Sequence, residues 1–303
     1  MKKYVSPILC LLAAMIWGFA FTAQKSASLV PAFTIGALRS IFAFIFLLCI
    51  IPILDRLKGE NATSRKALFT KREILGGTLC GIVLATGSAL QQFGIGEGTD
   101  AGKAAFITAL YVVLVPIVSS LFGKKTGLRV WISVMLAAIG FYLLCIKGDL
   151  TLTPSDALVL ICSFVFCMHI IVIDLFSDGT DGVRMSCVQF LVCFIANSVM
   201  ALVFDIGQDP AHIIEALPSL LYLGIFSSCI AYTLQIVAQK DTHPTVASII
   251  LSLESVFGVI GGALFLGEVM SPREYLGCIV VLLAVLLSQI DVKALMQNIL
   301  KSK

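Results

Sequence analysis

Long runs of apolar residues, bounded by charged residues, glycine or proline, follow one another along the whole chain. A helix needs about 20 apolar residues to cross the hydrocarbon core of a bilayer, and the runs have about that length. They show no alternation of apolar and polar residues with period two, which favours helices over a transmembrane β-barrel. The pattern predicts ten membrane-spanning helices, at 8–24, 33–54, 74–93, 104–122, 130–146, 157–176, 185–204, 216–238, 245–267 and 275–290.

The overall composition agrees with a membrane protein. The chain of 303 residues is 59% hydrophobic and 13% charged, whereas a soluble domain is nearer 45–50% apolar and about 25% charged. Its formal net charge of +3 is too small to indicate a nucleic-acid partner. The ten cysteines lie almost entirely within the predicted spans, with no CxxC pair and no histidine at ligand spacing. We therefore expect no metal and no cofactor.

Lysine and arginine are distributed unevenly between the two sets of loops. With the N-terminus in the cytoplasm, 16 of the 21 basic residues fall in cytoplasmic segments, four fall outside, and Arg39 lies within a span. Basic loops stay predominantly on the cytoplasmic side, so we expect a multi-pass protein of the plasma or inner membrane with both termini in the cytoplasm. Lys2 and Lys3 imitate the start of a signal peptide, but the apolar run continues to Ala23 without a convincing cleavage site.

The two halves of the chain show a weak internal repeat. A shift of 143 residues aligns 81–110 with 224–253 and gives seven identities. Apolar helices share residues by composition alone, so the matching edges of spans and loops carry more weight than the identities. Each half contains five spans, and an odd number makes the second half enter the membrane from the opposite face. The sequence predicts two inverted repeats, 1–147 and 148–303, with a substrate site near mid-bilayer between them.

Several short motifs recur in the order and spacing of a known family. They are Ala13-Ala14-Met15-Ile16-Trp17-Gly18, Arg39, Ala104-Ala105-Phe106-Ile107-Thr108, Leu114-Val115-Pro116, Leu253-Glu254-Ser255-Val256-Phe257 and Leu266-Gly267-Glu268. Over nearly the whole chain they resemble the EamA-domain branch of the drug/metabolite transporter superfamily, which usually has proline where Ser255 stands. The resemblance implies an all-α membrane protein with ten transmembrane helices, in two inverted EamA repeats around a central cavity. It also implies transport of small organic solutes.

Charged and titratable residues are rare within the spans, so the exceptions are candidates for function. Glu254 lies about 14 Å into the ninth span, near the midplane. It would carry a coupling proton, bind a cationic group of the substrate, or be a protonated packing residue. His169 lies near the middle of the sixth span, where it is either a packing residue or a group that changes charge near neutral pH. Arg39 either faces anionic substrate groups in a cavity or extends to the membrane interface.

Five further residues form a second group of cavity candidates. Trp17 lies in mid-span, so it either packs between helices or lines the cavity. Tyr111 and Tyr232 carry mid-span hydroxyls that need hydrogen-bond partners. Gln92 and Gln235 are equivalent in the repeat, and the inversion would place them at opposite ends of the protein.

These features predict a secondary transporter of small organic metabolites that works by alternating access, as an exporter or permease. The sequence contains no ATP-binding motif, so transport would be facilitated or coupled to a proton or another ion.

The alternatives are a polytopic enzyme acting on a lipid and a receptor or scaffold without flux. Such an enzyme would be expected to cluster Asp, Glu or His at the membrane boundary, and a receptor usually carries a soluble domain. We therefore expect a protein that is not an enzyme and whose partners are a small-molecule solute and the lipid bilayer. The pattern does not specify the oligomeric state.

Overall fold

The computed structural model describes residues 2–57, 68–99, 101–146, 153–207, 209–266 and 271–289, and over these ranges the chain is almost entirely helical. The helices are α1 (Lys2–Ser26), α2 (Ala32–Leu57), α3 (Lys71–Gly96), α4 (Ala101–Ala109), α5 (Tyr111–Leu121), α6 (Leu128–Cys145), α7 (Pro154–Ser177), α8 (Gly182–Phe204), α9 (Pro210–Glu215), α10 (Leu217–Leu221), a π-helix (Tyr222–Ala231), α11 (Tyr232–Gln239), α12 (Pro244–Leu251), α13 (Glu254–Leu266) and α14 (Pro272–Gln289).

The predicted all-helical membrane fold is confirmed. Eight stretches of the described residues are long and apolar enough to cross a membrane, and Leu128–Leu144 is a shorter apolar helix. The tenth predicted span coincides with α14, which is not among those eight, so the count of ten is not confirmed. The boundary predicted between residues 147 and 148, and Gly267 and Glu268 of the last motif, lie outside the described residues.

Polar residues next to the apolar runs set the starts of two helices. Thr70 accepts a hydrogen bond from the backbone N of Glu73, and the Glu73 carboxylate accepts one from the backbone N of Thr70. Thr153 and Asp156 make the same reciprocal pair at the start of α7. Each pair satisfies two of the backbone donors that a helix N-terminus leaves unpaired. The local sequence therefore explains where α3 and α7 begin.

Helices α2 and α8 pack against each other in opposite directions and are tied together at both ends. At one end, Arg184 Nη2 donates to both carboxylate oxygens of Asp55, at 2.8 and 2.6 Å. At the other end, Asp205 Oδ2 accepts from the backbone N and the hydroxyl of Thr34, at 2.7 and 2.9 Å. Thr34 and Arg184 are 150 residues apart, as are Asp55 and Asp205. A shift of 150 residues therefore exchanges the two ties, and this shift is seven residues longer than the one that aligns 81–110 with 224–253.

We expect Asp55→Asn to destabilise the protein, because the Arg184 side chain is 2% exposed and loses the carboxylate that balances its charge. Breaking a buried pair costs about 3–5 kcal/mol. A second contact of Arg184, to Asp181 at 3.3 Å, lowers the expected loss to about 2 kcal/mol. The measurement is the thermal midpoint of the detergent-purified protein, with Arg56→Gln at an exposed position of the same helix as the control. Equal midpoints for Asp55→Asn and the wild type would contradict the structural role of this pair.

Glycines allow α3 to approach α8 closely, as the spacing Gly77-x-x-x-Gly81 predicts. A Cβ atom on Gly77 would lie 2.7 Å from the carbonyl oxygen of Met185, and one on Gly81 would lie 2.7 Å from that of Gln189. The contacted atoms belong to the backbone of α8 and cannot move aside like a flexible side chain. The glycine pair is therefore a helix-packing site.

The fourth and ninth predicted spans are each divided into two half-helices, α4 with α5 and α12 with α13. At the first break the backbone N of Leu110 donates to the carbonyl of Ile107 at 3.2 Å, and at the second that of Leu253 donates to Ile250 at 3.1 Å. Both are short-range bonds of the 3₁₀ type, which tighten a helical turn. They occupy the same positions when the chain is shifted by 143 residues. The two interruptions are therefore matching features of the two halves.

Candidate functional site

A partly open cavity lies among helices from both halves of the chain. It collects seven of the eight residues that the sequence singled out. They are Trp17, Arg39, Tyr111, His169, Tyr232, Gln235 and Glu254. These residues come from six different helices, so the tertiary packing brings them together.

Gln92 is the candidate that does not line this cavity, although it is buried. Its neighbour Gln91 lines the cavity instead, and the Gln91 side-chain amide donates to the hydroxyl of Thr108 at 3.2 Å. Adjacent residues of an α-helix point about 100° apart, so only one of the two glutamines can face the cavity directly. The repeat alignment selected Gln92, as the equivalent of Gln235, but it could not show which side of α3 faces the cavity.

Arg39 is held inside the bundle by two hydroxyl groups. Its Nε donates to Ser228 Oγ at 2.8 Å and its Nη2 donates to Ser227 Oγ at 2.9 Å, and the residue is 7% exposed. Nη1 has no hydrogen-bond partner among the described residues, and no described carboxylate lies within 4.0 Å of the guanidinium. The Arg39 side chain therefore does not extend to the membrane interface. Its positive charge has no carboxylate counter-ion among the described residues.

The two serines that hold Arg39 lie on the π-helix Tyr222–Ala231. A π-helix bonds each N–H to the carbonyl five residues earlier and occurs frequently at functional sites. The Ser227 carbonyl also accepts a hydrogen bond from Trp17 Nε1 at 3.1 Å. One segment thus positions both a cation and an aromatic ring of the cavity wall. Two adjacent serines within an apolar run were the only signal in the sequence that could have indicated this contact.

Glu254 is buried and is the first residue of α13. The hydroxyl of Tyr111, the first residue of α5, donates to Glu254 Oε1 at 3.2 Å. The positive end of the helix dipole stabilises a carboxylate at this position by about 0.3–1 kcal/mol. Ser255 stands where the family that the sequence resembles usually has proline, and its hydroxyl donates to the carbonyl of Ala105 at 3.4 Å. The break before Glu254 therefore forms without a proline.

His169 and two aromatic rings form one wall of the cavity. His169 Nε2 lies 3.0 Å from Gln189 Oε1, and the imidazole meets the edge of the Tyr232 ring at 5.6 Å between centroids. The Tyr232 ring in turn packs against the Trp17 ring, with 4.6 Å between their centroids. Gln235 lies about one turn after Tyr232 on α11. Its Oε1 atom has no hydrogen-bond partner among the described residues. The wall offers apolar faces together with an unpaired amide oxygen.

The cavity combines a buried guanidinium, a buried carboxylate, an imidazole and aromatic faces. Such a set suits an organic molecule that has both a polar group and an apolar body. Within the described ranges, no three His, Cys, Asp or Glu side chains are grouped so that they could hold a metal ion.

Comparison with known proteins identifies the family. The sequence pattern of the EamA-like transporter family matches residues 5–146 and 153–289. An uncharacterized transporter of Archaeoglobus fulgidus is 30% identical over 292 residues, which cover 96% of this chain and 88% of the relative. The uncharacterized inner membrane transporter YedA of Escherichia coli K12 is 25% identical over 286 residues, covering 90% of this chain and 87% of YedA.

The fold also occurs in a solved crystal structure of a protein with 12% sequence identity. The two structures match with a TM-score of 0.73 over 93% of this chain and 96% of the other. At that identity the likeness concerns the fold alone. The family pattern and the relatives together cover nearly the whole chain, and the relatives are named as transporters. The chain therefore belongs to the EamA-like transporter family, within the drug/metabolite transporter superfamily, and is a multi-pass membrane transporter.

Proposed function

We propose that this protein is a secondary transporter that moves small organic metabolites with an anionic group across the membrane by alternating access, with the proton as its coupling ion. The observation that carries the proposal is the single cavity that contains both Arg39 and Glu254. The Nη1 atom of Arg39 has no hydrogen-bond partner among the described residues, and the guanidinium binds the anionic group of the solute. Glu254 binds and releases the coupling proton.

The charge balance of the cavity supports an anionic solute. An isolated charge in a low-dielectric interior is expensive, and pairing removes most of that cost. With Glu254 protonated, Arg39 leaves one positive charge in the cavity, which an organic monoanion neutralises. The loaded cavity is then neutral, and this favours its passage through the state that is closed to both sides. The aromatic wall formed by Trp17 and Tyr232 binds the apolar part of the solute.

Alternating access requires two units that can rock about a shared site. We propose that these are the inverted repeats 1–147 and 148–303, with both termini in the cytoplasm. Three observations support the repeats: the family pattern matches two consecutive segments, a shift of 150 residues exchanges the ties between α2 and α8, and a shift of 143 residues aligns the breaks in the divided spans. The excess of basic residues in one set of loops supports the orientation.

The test is counterflow with the purified protein in liposomes, using a panel of labelled monocarboxylates, each measured against its unlabelled form. We expect saturable exchange of at least one anion, and its accumulation when an inward proton gradient is imposed. Protein-free liposomes give the background rate. Absence of flux for the whole panel, or exchange that a proton gradient never drives uphill, would reject the proposal. Turnover of a lipid without solute flux would favour the enzyme alternative instead.

A further inference from the structure

Tyr111 and Glu254 occupy the same position in the two halves of the chain. They are 143 residues apart, which is the shift that aligns the halves, and each is the first residue after the break in its divided span. The Tyr111 hydroxyl donates to Glu254 Oε1 at 3.2 Å, and both side chains are buried. Two corresponding residues are therefore bonded directly to each other.

This direct bond places the pair at the centre of the molecule. When two halves are related by an approximate two-fold axis, corresponding residues touch only where they lie close to that axis. The pair also lines the cavity, so it joins the halves at the proposed solute site. A bond at the axis moves little when the halves rock, but it responds to any change in the angle of either break.

The two breaks are suited to act as hinges. Hinges are a few residues at element ends that absorb the change in backbone angles, and the bond lies directly after the break at Leu110 and the break at 252–253. Bending of one half-helix would therefore pull on the other through Tyr111 and Glu254. The contact offers a mechanical connection between α5 and α13.

The strength of this connection depends on the proton that Glu254 carries. A phenol donating to an ionised carboxylate makes a bond roughly twice as strong as one to a neutral group. The other polar and titratable groups that face Glu254 differ from Tyr111, since none of them is bonded to it among the described residues. Cys162 of α7 and Tyr232 of α11 interact electrostatically with Glu254, Arg39 of α2 and His169 of α7 line the same cavity, and Cys10 of α1 interacts with Tyr111.

We propose that Tyr111 is a positioning residue for coupling: it transmits the protonation state of Glu254 to the helix breaks in both halves. The inference rests on the proposed function, in which Glu254 carries the coupling proton. With Glu254 ionised and the anion bound, the strong bond between α5 and α13 and the unbalanced negative charge of the cavity together oppose rocking. With Glu254 protonated, the weaker bond releases the half-helices, and the halves rock with the solute bound.

The experiment compares Tyr111→Phe with the wild type in proteoliposomes, using the monocarboxylate that the wild type exchanges fastest. We expect the accumulation ratio under a gradient of one pH unit to fall from about tenfold to nearly one, which is a larger fractional change than any change in the counterflow rate. The pH profile of exchange should flatten. Tyr142→Phe, which removes a hydroxyl from an exposed residue outside the cavity, is the matched control and should behave as the wild type.

Each outcome separates this inference from the proposed function. If the wild type shows no gradient-driven accumulation, the proposed function fails. If the wild type accumulates solute, Glu254→Gln loses accumulation and Tyr111→Phe keeps both its accumulation and its pH profile, the role of Tyr111 alone is overturned. Loss of counterflow together with accumulation in Tyr111→Phe would also overturn it, because the hydroxyl would then serve folding or solute binding. Glu254→Gln retains an acceptor for Tyr111 and shows whether losing the titratable proton alone abolishes accumulation.

Discussion

We expect Arg39→Gln to raise the anion concentration that half-saturates counterflow by about 10- to 100-fold, which corresponds to the loss of charged hydrogen bonds worth about 1.5–3 kcal/mol. The reason is that Arg39 lines the cavity, while its Nη1 has no hydrogen-bond partner and its charge has no carboxylate partner among the described residues. Glutamine can still bond to the hydroxyls of Ser227 and Ser228, but it offers no charge to an anion. The concentration dependence of counterflow for one monocarboxylate measures the effect.

The stability of the same variant separates binding from architecture. A buried guanidinium held only by hydroxyls carries an uncompensated charge, so its replacement by a neutral side chain should leave the thermal midpoint equal or higher. A structural arginine would give the opposite result, with a lower midpoint and unchanged half-saturation. Arg39→Lys keeps the charge but lacks the planar fork that reaches both serines, and we expect a smaller loss of affinity. Arg56→Gln, at an exposed position of α2, should change neither quantity.

Glu254→Gln should abolish proton-driven accumulation while solute exchange continues. For one proton carried with each solute, a gradient of one pH unit supports at most about a tenfold accumulation, since one pH unit corresponds to 1.36 kcal/mol. The variant binds no proton at this position, so its accumulation ratio should fall to about one. Its counterflow should also become nearly independent of pH. Labelled solute is measured inside the liposomes at steady state with and without the imposed gradient.

Two results would contradict this role of Glu254. One is an accumulation ratio in Glu254→Gln equal to that of the wild type, which would assign the proton to another group such as His169. The other is loss of exchange as well as accumulation, which would make the carboxylate part of solute binding or of the fold. Glu97→Gln, at an exposed acidic residue after α3 and outside the cavity, is the matched control for the removal of one carboxylate.

Many residues of the site were predictable from the free-energy cost of placing polar side chains in hydrocarbon. Charged and polar side chains are expensive in hydrocarbon, so residues such as Arg39, His169 and Glu254 could be selected from the spans without a structure. The cavity collects these residues, together with the mid-span Trp17 and both tyrosines. Whether they contact a solute stays a prediction, which the variants above address.

Other features of the site were not predictable from the sequence. The serines that hold Arg39 lie almost 190 residues further along the chain, and no local rule connects positions so far apart. The choice of Gln91 rather than Gln92 depends on the rotation of α3 about its axis, which its packing against α7 and α8 decides. The break before Glu254 was also missed as a local signal, because Ser255 replaces the proline that would have marked it.

The sequence by itself determined the solvent of this protein, its helical class, the start of helices such as α3 and the short set of residues worth testing. Each of these follows from local energetics: apolar runs partition into lipid, capping residues satisfy backbone donors, and buried charges are costly. Only the tertiary structure decided which of these residues meet. Two contacts arise from packing between helices that are distant in the chain. They are the hydrogen bond between Tyr111 and Glu254 and the hydrogen bonds from Arg39 to two serines. Such contacts depend on the relative rotation and tilt of whole helices.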